Sequence, residues 1–333
     1  MTPKERIIPV FIPHEGCPHQ CAFCNQHPIA GSEKAPTPDE VERSVEEGLS
    51  KAGGRAEVAF YGGSFTAIPR ETMNAYLEAV DRFLVSGAIS GVRVSTRPDA
   101  IDREILSLLK AHGVNLVELG AQSMDEEVLR AAARGHTSDD VRRASHLIKE
   151  SGLSLGLQMM TGLPLDTDEK DMKTAEEFIR LSPKVVRIYP TLVLPGTALS
   201  YLYHEGKYTP QALDPAVKLT ATLYERFTKA GIRVIRMGVN ESETLSKGVE
   251  AGPYHPAFGE MVFSELYKRK AEEALSGQSY AGKELILRVP AGDESKMAGQ
   301  KRMNLEYLKR LTGAEIVRVN PRKAHRDEVF VCI

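Results

Sequence analysis

Short apolar runs alternate with amphipathic segments along the first ~240 residues of the chain. Such runs, bounded by glycine, proline and small polar residues, are typical of buried strands, whereas apolar positions three or four apart are typical of helices. The pattern predicts strands over 7–12, 57–61, 92–95, 116–120, 154–159, 185–189 and 233–237. It predicts helices over 38–51, 70–85, 102–111, 138–151, 168–181 and 215–230, with helix caps at Thr37, Asp102, Ser138 and Asp214.

The alternation of strands and helices predicts an α/β fold with a parallel sheet. The unusual residues follow directly after the strands: three cysteines after the first, a glycine pair after the second, and further polar or proline-rich turns after the next four. Barrels of this class build their site from the loops at the carboxyl ends of the strands. We therefore expect a partial (β/α) barrel of six strands, with room for an extra strand, over residues 1–240.

Polar side chains occupy alternate positions of strands that are expected to be buried on both faces. Glu118, Gln158 and Arg187 are the main examples. Because a buried charge is costly unless it is paired, these side chains are expected to point into the barrel lumen. The alternative is a structural ion pair between Glu118 and Arg187.

The rest of the chain has a different pattern. Residues 241–282 are expected to form a helical connector, with a helix that ends near residue 275. Residues 283–333 are expected to form a small α+β domain. Its predicted elements are strands over 284–289, 314–319 and 328–332 and a helix over 301–311.

Composition excludes several classes of protein. A hydrophobic fraction of 42% and a charged fraction of 26% are ordinary for a folded domain. No run of ~18 apolar residues exists, and the apolar segment near the N-terminus is too short for a secretory signal, so a cytoplasmic protein without a membrane span is expected. The net charge is −2, but residues 283–333 carry 11 basic and 7 acidic residues, a balance of +4. The first 282 residues therefore carry −6, and an anionic partner is expected for the basic end.

Three of the four cysteines, Cys17, Cys21 and Cys24, are crowded into a C-x3-C-x2-C motif. Three thiolates on one loop hold three irons of a four-iron cluster and leave the fourth iron open for a ligand. The alternative is a structural zinc site completed by a nearby histidine. The candidate histidines are His14, His19 and His27, and Cys332 is expected to pack as a small hydrophobic residue.

The cysteine motif, with Phe23 before its last cysteine, resembles that of the radical S-adenosylmethionine (SAM) family. The resemblance implies a [4Fe–4S] cluster that cleaves SAM reductively to a 5′-deoxyadenosyl radical, and an electron donor such as flavodoxin or ferredoxin. Gly62 and Gly63 resemble the glycine turn whose backbone meets the methionine amino group. Further SAM contacts are implied for Ser95, Arg97, Gln122 and Arg134, of which Gln122 and Arg134 grip the carboxylate.

Within that family, the chain is most similar to the radical SAM domain of the catalytic subunit of Elongator, which modifies wobble uridines of transfer RNA. The similarity extends over about residues 6–240. The cysteine spacing is tighter than in that subunit, and the 333 residues contain no counterpart of its acetyltransferase domain, so carboxymethyl transfer is not implied. The similar segments are 62–66, 95–99, 117–123, 134–137, 159–164 and 188–193.

The basic end of the chain resembles a KH module, in which a G-x-x-G turn between two helices clamps a nucleic-acid backbone. Gly299 matches the first glycine, and Arg302 stands in place of the last one. The resemblance implies RNA contacts from Gly299, Gln300, Lys301 and Arg302. The alternative is a plain α+β domain that stabilises the barrel.

Together these patterns predict a radical SAM enzyme that acts on RNA, with transfer RNA as the expected substrate. The residue that reacts with the substrate is not identified by the sequence. A second hypothesis is a radical SAM enzyme for a small molecule or a tetrapyrrole. A third is a non-catalytic RNA-binding protein with a structural zinc site.

Overall fold

The computed structural model describes residues 6–13, 15–18, 20–25, 35–239, 248–277 and 280–322. The chain divides into two compact units, one of residues 1–211 with 226–253 and the other of residues 212–225 with 254–333. His14, His19, His27, Cys332 and the strand expected over 328–332 lie outside the described residues.

The first unit contains a parallel sheet of seven strands in the order β1 to β7. Among the described residues, the first and last strands do not pair, so the sheet is an open, partial barrel. This confirms the predicted fold, with the seventh strand in the place left for an extra one. The strands are β1 Arg6–Ile12, β2 Ala56–Gly62, β3 Ile89–Thr96, β4 Val114–Gln122, β5 Ser154–Thr161, β6 Val185–Pro190 and β7 Arg233–Met237.

Helices connect successive strands. They are α1 Pro38–Ala52, α2 Arg70–Val85, α3 Arg103–Ala111, α4 Glu126–Ala131, α5 Ser138–Glu150, α6 Asp168–Leu181, α7 Ala198–His204 and α8 Leu213–Lys229. Thr37 and Asp102 cap α1 and α3 as expected, since each side chain accepts a backbone hydrogen bond of the first turn. The other two predicted caps are wrong: Thr137 caps α5 through a capping box with Asp140, and Asp214 lies inside α8.

The core of the first unit lies between the sheet and its helices. Val58, Val94 and Val117 are fully buried on the strands, and Leu106 and Leu109 of α3 are buried with them. The alternate strand positions face the lumen and carry the polar side chains that the sequence pattern singled out. No helix in the described part of the chain combines the length and apolarity needed to cross a membrane.

The second unit combines a long helix with a two-stranded parallel sheet. The helix lies in the range predicted as a connector, and its buried residues Tyr267, Ala271 and Leu275 join the same core as Leu285 and Leu287. The first strand begins at residue 284 as predicted, the helix predicted over 301–311 and the strand predicted over 314–319 each begin two residues later, and a short helix over 294–298 was not predicted. The elements are α9 Phe258–Leu275, β8 Glu284–Pro290, α10 Glu294–Ala298, α11 Met303–Thr312 and β9 Ile316–Arg322.

Candidate active site

The three cysteines lie on the loop after β1, at the carboxyl end of the sheet. Burial raises the pKa of the Cys17 thiol and the neighbouring Cys21 raises it further, whereas Arg97 and Arg134 lower it. Two thiols and two guanidinium groups therefore lie within electrostatic reach of one another. No three His, Cys, Asp or Glu side chains among the described residues form a complete metal-binding group, so the sulfur atoms must converge further to bind a cluster.

Backbone contacts hold the second half of the cysteine loop. The Ala22 N–H donates to the Ala132 carbonyl at 3.0 Å, and the Ala22 carbonyl accepts from the Leu199 N–H at 2.7 Å. The Asn25 side-chain amide donates to the Pro195 carbonyl at 2.8 Å. The loop is thus fixed by the segments that follow β4 and β6. Backbone contacts of this kind leave no pattern in the sequence.

Phe23 anchors the same loop by apolar packing. It contacts one buried cluster that includes Val128 and Met160, and a second that includes Val193 and Leu199. Its ring centroid lies 6.0 Å from the Arg134 guanidinium carbon. The aromatic position of the motif therefore supports the loop between segments from three different strand ends.

The glycine pair after β2 packs against the cysteine loop. A Cβ at Gly63 would collide with the Glu15 carbonyl, and one at Gly62 would lie 2.7 Å from the Ile12 carbonyl oxygen. Gly62 also has a φ of +112°, a conformation that favours glycine. From the sequence we expect these glycines to allow the close approach of a ligand. In the structure the space beside them is occupied by the protein's own backbone.

Hydroxyl groups connect the ends of β2 and β3. Thr96 Oγ1 lies 2.9 Å from Ser64 Oγ and 2.6 Å from Thr66 Oγ1, and all three residues are buried. The neighbouring Ser95 is half-buried and lies at the strand ends with Tyr61 and Ser64. The implied ribose contact, Ser95, is thus partly accessible, while its neighbours fix the loop geometry.

Arg97 is buried and engaged with protein groups. Its Nε and Nη2 donate to the Asp99 carboxylate at 2.9 and 3.0 Å, and Nη2 also donates to the Arg134 carbonyl at 2.6 Å. Arg97 therefore fixes the backbone of Arg134.

Arg134 lies at the centre of the site and is only 6% exposed. Its Nη1 lies 2.9 Å from Cys21 Sγ, and its Nη2 donates to the Gly120 carbonyl at 2.6 Å. Its Nε is buried and has no partner among the described residues. Arg134 is therefore not a solvated arginine, although it follows the end of a helix. A buried guanidinium with an unused donor is an arrangement suited to an anionic ligand.

Gln122 joins Arg134 at the end of β4. Its backbone has a φ of +67°, which is strained for a residue other than glycine, and its Oε1 accepts a hydrogen bond from Gln158 Nε2 at 3.3 Å. A Cβ at Gly120 would lie 3.1 Å from Gln122 Nε2 and 3.4 Å from Arg134 Nη2. The structure thus places Gln122 and Arg134, the two predicted contacts of the SAM carboxylate, next to each other. Gly120 has no side chain to fill the space beside them.

His136 is a buried member of the site for which the sequence predicted no role. Its Nε2 lies 3.2 Å from the Ala121 carbonyl, and its Nδ1 is buried without a partner among the described residues. Burial, together with the charges of Arg134 and Arg97, lowers the pKa of His136 to about 4. The ring is therefore neutral at physiological pH. The only sequence signal was its place in the Arg-Gly-His-Thr motif.

The lumen below these residues contains a network of ion pairs. Arg187 forms a bidentate ion pair with Glu118 and also donates to the Tyr61 hydroxyl at 2.5 Å. Arg93 forms an ion pair with Glu57 and lies 3.6 Å from the Glu118 carboxylate. Glu118 and Arg187 thus lie in the lumen, as predicted, and they also form the ion pair that was the alternative. The two predictions are compatible, and both are correct.

The predicted RNA-binding turn lies in the second unit, between α10 and α11. Lys301 and Arg302 have φ values of +49° and +62°, and both are exposed. The turn closes through the Arg302 N–H, which donates to the Gly299 carbonyl at 3.0 Å. Asn304 supports it from below by donating to the Met297 carbonyl at 3.1 Å. Arg302 thus adopts the left-handed conformation that a glycine would favour.

Comparison with protein families matches the Radical SAM superfamily over residues 11–178 and the Radical_SAM C-terminal domain over residues 183–268. The chain is 37% identical over 130 residues to the tRNA uridine(34) acetyltransferase of Methanocaldococcus jannaschii, covering 38% of this chain and 24% of that protein. It is 32% identical over 234 residues to Elongator complex protein 3 of Bos taurus, covering 64% and 42%. The similarity to Elongator proteins predicted from the motifs is confirmed.

The solved structure of archaeal Methanocaldococcus infernus Elp3 with an N-terminal deletion has the same fold, with a TM-score of 0.64 at 23% identity. The superposition covers 79% of this chain and 63% of that one. The chain thus spans less than half the length of the two curated relatives and less than two thirds of the solved one.

Proposed function

Since the chain belongs to the radical SAM superfamily, we propose that it modifies RNA, and transfer RNA in particular, by radical chemistry. The enzymes of this superfamily use a [4Fe–4S] cluster and SAM, and these are the cofactors of this chain. When bound, the cluster would supply the electron for the reductive cleavage of SAM to methionine and a 5′-deoxyadenosyl radical. An external donor of the flavodoxin or ferredoxin type delivers that electron.

Cys17, Cys21 and Cys24 are the ligands we assign to the cluster. Their donor set fits it, because three thiols lie on one loop and the Arg134 guanidinium lies 2.9 Å from Cys21 Sγ. A cation at this position complements the negative charge of a cluster held by thiolates.

Arg134 and Gln122 are the residues we assign to the SAM carboxylate. The unused Nε of Arg134 and the Nε2 of Gln122 are both N–H donors, as a carboxylate requires. Gln158 fixes the side-chain amide of Gln122 by binding its oxygen, which leaves the nitrogen for the ligand. Arg97 acts through Arg134 and is a positioning residue in this proposal.

The exposed turn of the second unit carries the RNA part of the proposal. Lys301 and Arg302 are adjacent, exposed and held by a closed backbone turn, an arrangement suited to the phosphates of a nucleic-acid backbone. Gly299 and Gln300 complete the clamp that we propose. Two relatives whose names refer to tRNA uridine(34) and to Elongator support transfer RNA as the substrate class.

The test is the modified-nucleoside profile of transfer RNA from cells that lack this chain. We expect the loss of a modified nucleoside, its return with the wild-type chain, and no return with the variant in which Cys17, Cys21 and Cys24 are alanine. An unchanged profile in cells without the chain would overturn the RNA substrate while leaving the radical chemistry intact.

A second candidate is a small-molecule substrate in the lumen. The observation that favours it is the set of half-buried polar side chains on the lumen face, among them Tyr61, Gln158 and Arg187. Absence of transfer-RNA binding, together with SAM cleavage that depends on an added small molecule, would favour this candidate.

A further inference from the structure

Two arginines lie side by side on the lumen face of the sheet. The register between β6 and β7 pairs Arg187 directly with Arg236. Neighbouring strands of a sheet are about 4.8 Å apart, and paired residues point to the same face. The two guanidinium groups are therefore close neighbours, and both are half-buried.

The surroundings of the two arginines differ. Arg187 donates to the carboxylate of Glu118 and to the hydroxyls of Tyr61 and Tyr189. Within the described residues, Arg236 makes one side-chain hydrogen bond, from Nε to the Gly238 carbonyl at 3.0 Å, and no ion pair. Its two terminal nitrogen atoms, which form the prongs of the guanidinium fork, have no acceptor among the described residues.

The charges of the described lumen residues do not cancel. Glu57 and Glu118 pair with Arg93 and Arg187, and Arg236 has no carboxylate partner among the described residues. Burial and the charge of Arg187 together lower the pKa of Arg236, as expected for a cation without a carboxylate partner. Holding a second guanidinium in this position costs free energy in the absence of an anion.

Tyr189 supplies a further donor at the same place. Its hydroxyl oxygen accepts a hydrogen bond from Arg187 Nη1 at 3.3 Å, so its own hydrogen is available to a ligand. Tyr189 also lies within electrostatic reach of Arg236. The position thus offers a guanidinium fork and a phenol hydrogen to a ligand. The neighbouring carboxylate of Glu118 is already paired with Arg187.

We propose that Arg236 and Tyr189 form an oxyanion-binding subsite for a small co-substrate held in the lumen. The guanidinium fork matches two oxygens of a carboxylate or of a phosphate group, and the Tyr189 hydroxyl donates to the same anion. The subsite goes beyond the proposed RNA modification by naming the chemical class of a second substrate. It depends on that proposal only for the role of the co-substrate in the reaction.

The test uses the full chain without SAM or RNA, titrated calorimetrically with malonate and with inorganic phosphate at constant ionic strength. Arg236→Gln is expected to weaken binding at least tenfold. The control Arg233→Gln removes the same charge from an exposed position of the same strand and is expected to bind like wild type. A preference for malonate identifies a carboxylate ligand, and a preference for phosphate identifies a phosphate group.

Thermal unfolding separates this proposal from a structural role. Because Arg236 is held beside another cation, Arg236→Gln is expected to leave the melting temperature unchanged or to raise it. A marked fall in melting temperature, equal binding by Arg236→Gln and wild type, equal loss in Arg233→Gln, or no binding of either anion would overturn the subsite. None of these outcomes bears on the transfer-RNA nucleoside profile, so the two proposals fail separately.

Discussion

The site at the sheet edge and the turn of the second unit both depend on cationic side chains, but they hold them differently. Arg97 and Arg134 are 4% and 6% exposed and donate to named protein acceptors, whereas Lys301 and Arg302 are exposed. Buried, fixed donors recognise one ligand geometry and are weakly screened by salt. Exposed donors attract any phosphate backbone and are strongly screened. The first arrangement suits a cofactor and the second suits a polymer.

The largest effect is expected where the sheet-edge site is removed altogether. The triple variant Cys17→Ala/Cys21→Ala/Cys24→Ala should contain almost no iron after anaerobic reconstitution, against about four irons per wild-type chain, because all three ligands are lost. Iron analysis and the visible absorption spectrum measure this. Cys332→Ala is the control and should keep its iron. One equivalent of zinc and no iron in the wild-type chain would contradict the account.

Removing Arg134 tests whether the buried, fixed donors of the sheet-edge site bind SAM. Arg134→Ala should weaken SAM binding by ~1.5–3 kcal/mol, the contribution of a charge-assisted hydrogen bond, with the iron content unchanged. Equilibrium binding at low and high salt is the measurement, and the loss should be similar at both. Arg130→Ala, an exposed neighbour on α4, should bind normally. Unchanged affinity in Arg134→Ala would exclude the proposed carboxylate contact.

Reversing the charges of Lys301 and Arg302 tests whether the exposed turn of the second unit binds RNA. Lys301→Glu/Arg302→Glu should weaken transfer-RNA binding about tenfold at moderate salt and flatten its salt dependence, since fewer counterions are released on binding. SAM cleavage without RNA should be unaffected. The matched control is Lys309→Glu/Arg310→Glu, which makes the same charge change at exposed positions of α11. An equal loss in both variants would assign the effect to overall charge and not to the turn.

A smaller effect is expected from the neutral histidine of the sheet-edge site. The pKa of His136 is about 4 in the folded protein and 6.5 in its ordinary state, so below pH 6.5 the unfolded chain binds a proton that the folded protein does not. The free energy of unfolding should therefore fall by about 1 kcal/mol between pH 6.5 and 5.5 on account of this residue. Denaturant unfolding of His136→Gln should show a weaker fall over that interval. An identical fall would show that His136 is not held neutral.

The fold was predictable because alternating strands and helices leave a strong pattern. Parallel strands buried on one side and lining a lumen on the other explain why Glu118 and Arg187 were singled out correctly. Arg134 was harder to place, because its neighbours in sequence resemble a solvated helix end. Its burial comes from Cys21 and Gly120, which are distant in sequence.

Other parts of the site had no sequence signal. The Ala132 and Leu199 backbones hold the cysteine loop, and any residue type provides the same hydrogen-bonding groups. Arg236 was part of a predicted strand, but its excess charge is visible only once the register places it beside Arg187. The cap of α5 was misplaced by one residue because Thr137 and Ser138 are adjacent and both suit an N-cap, whereas α8 begins one residue before the predicted cap Asp214.

The most direct test of the central claim is the reductive cleavage of SAM by the reconstituted chain under anaerobic conditions. We predict that wild-type protein with a strong reductant releases 5′-deoxyadenosine and methionine. Arg134→Ala should do so only at raised SAM concentration, and the triple cysteine variant should not do so at all. A wild-type chain that carries its full complement of iron and binds SAM, yet releases no 5′-deoxyadenosine with or without transfer RNA, would contradict this prediction.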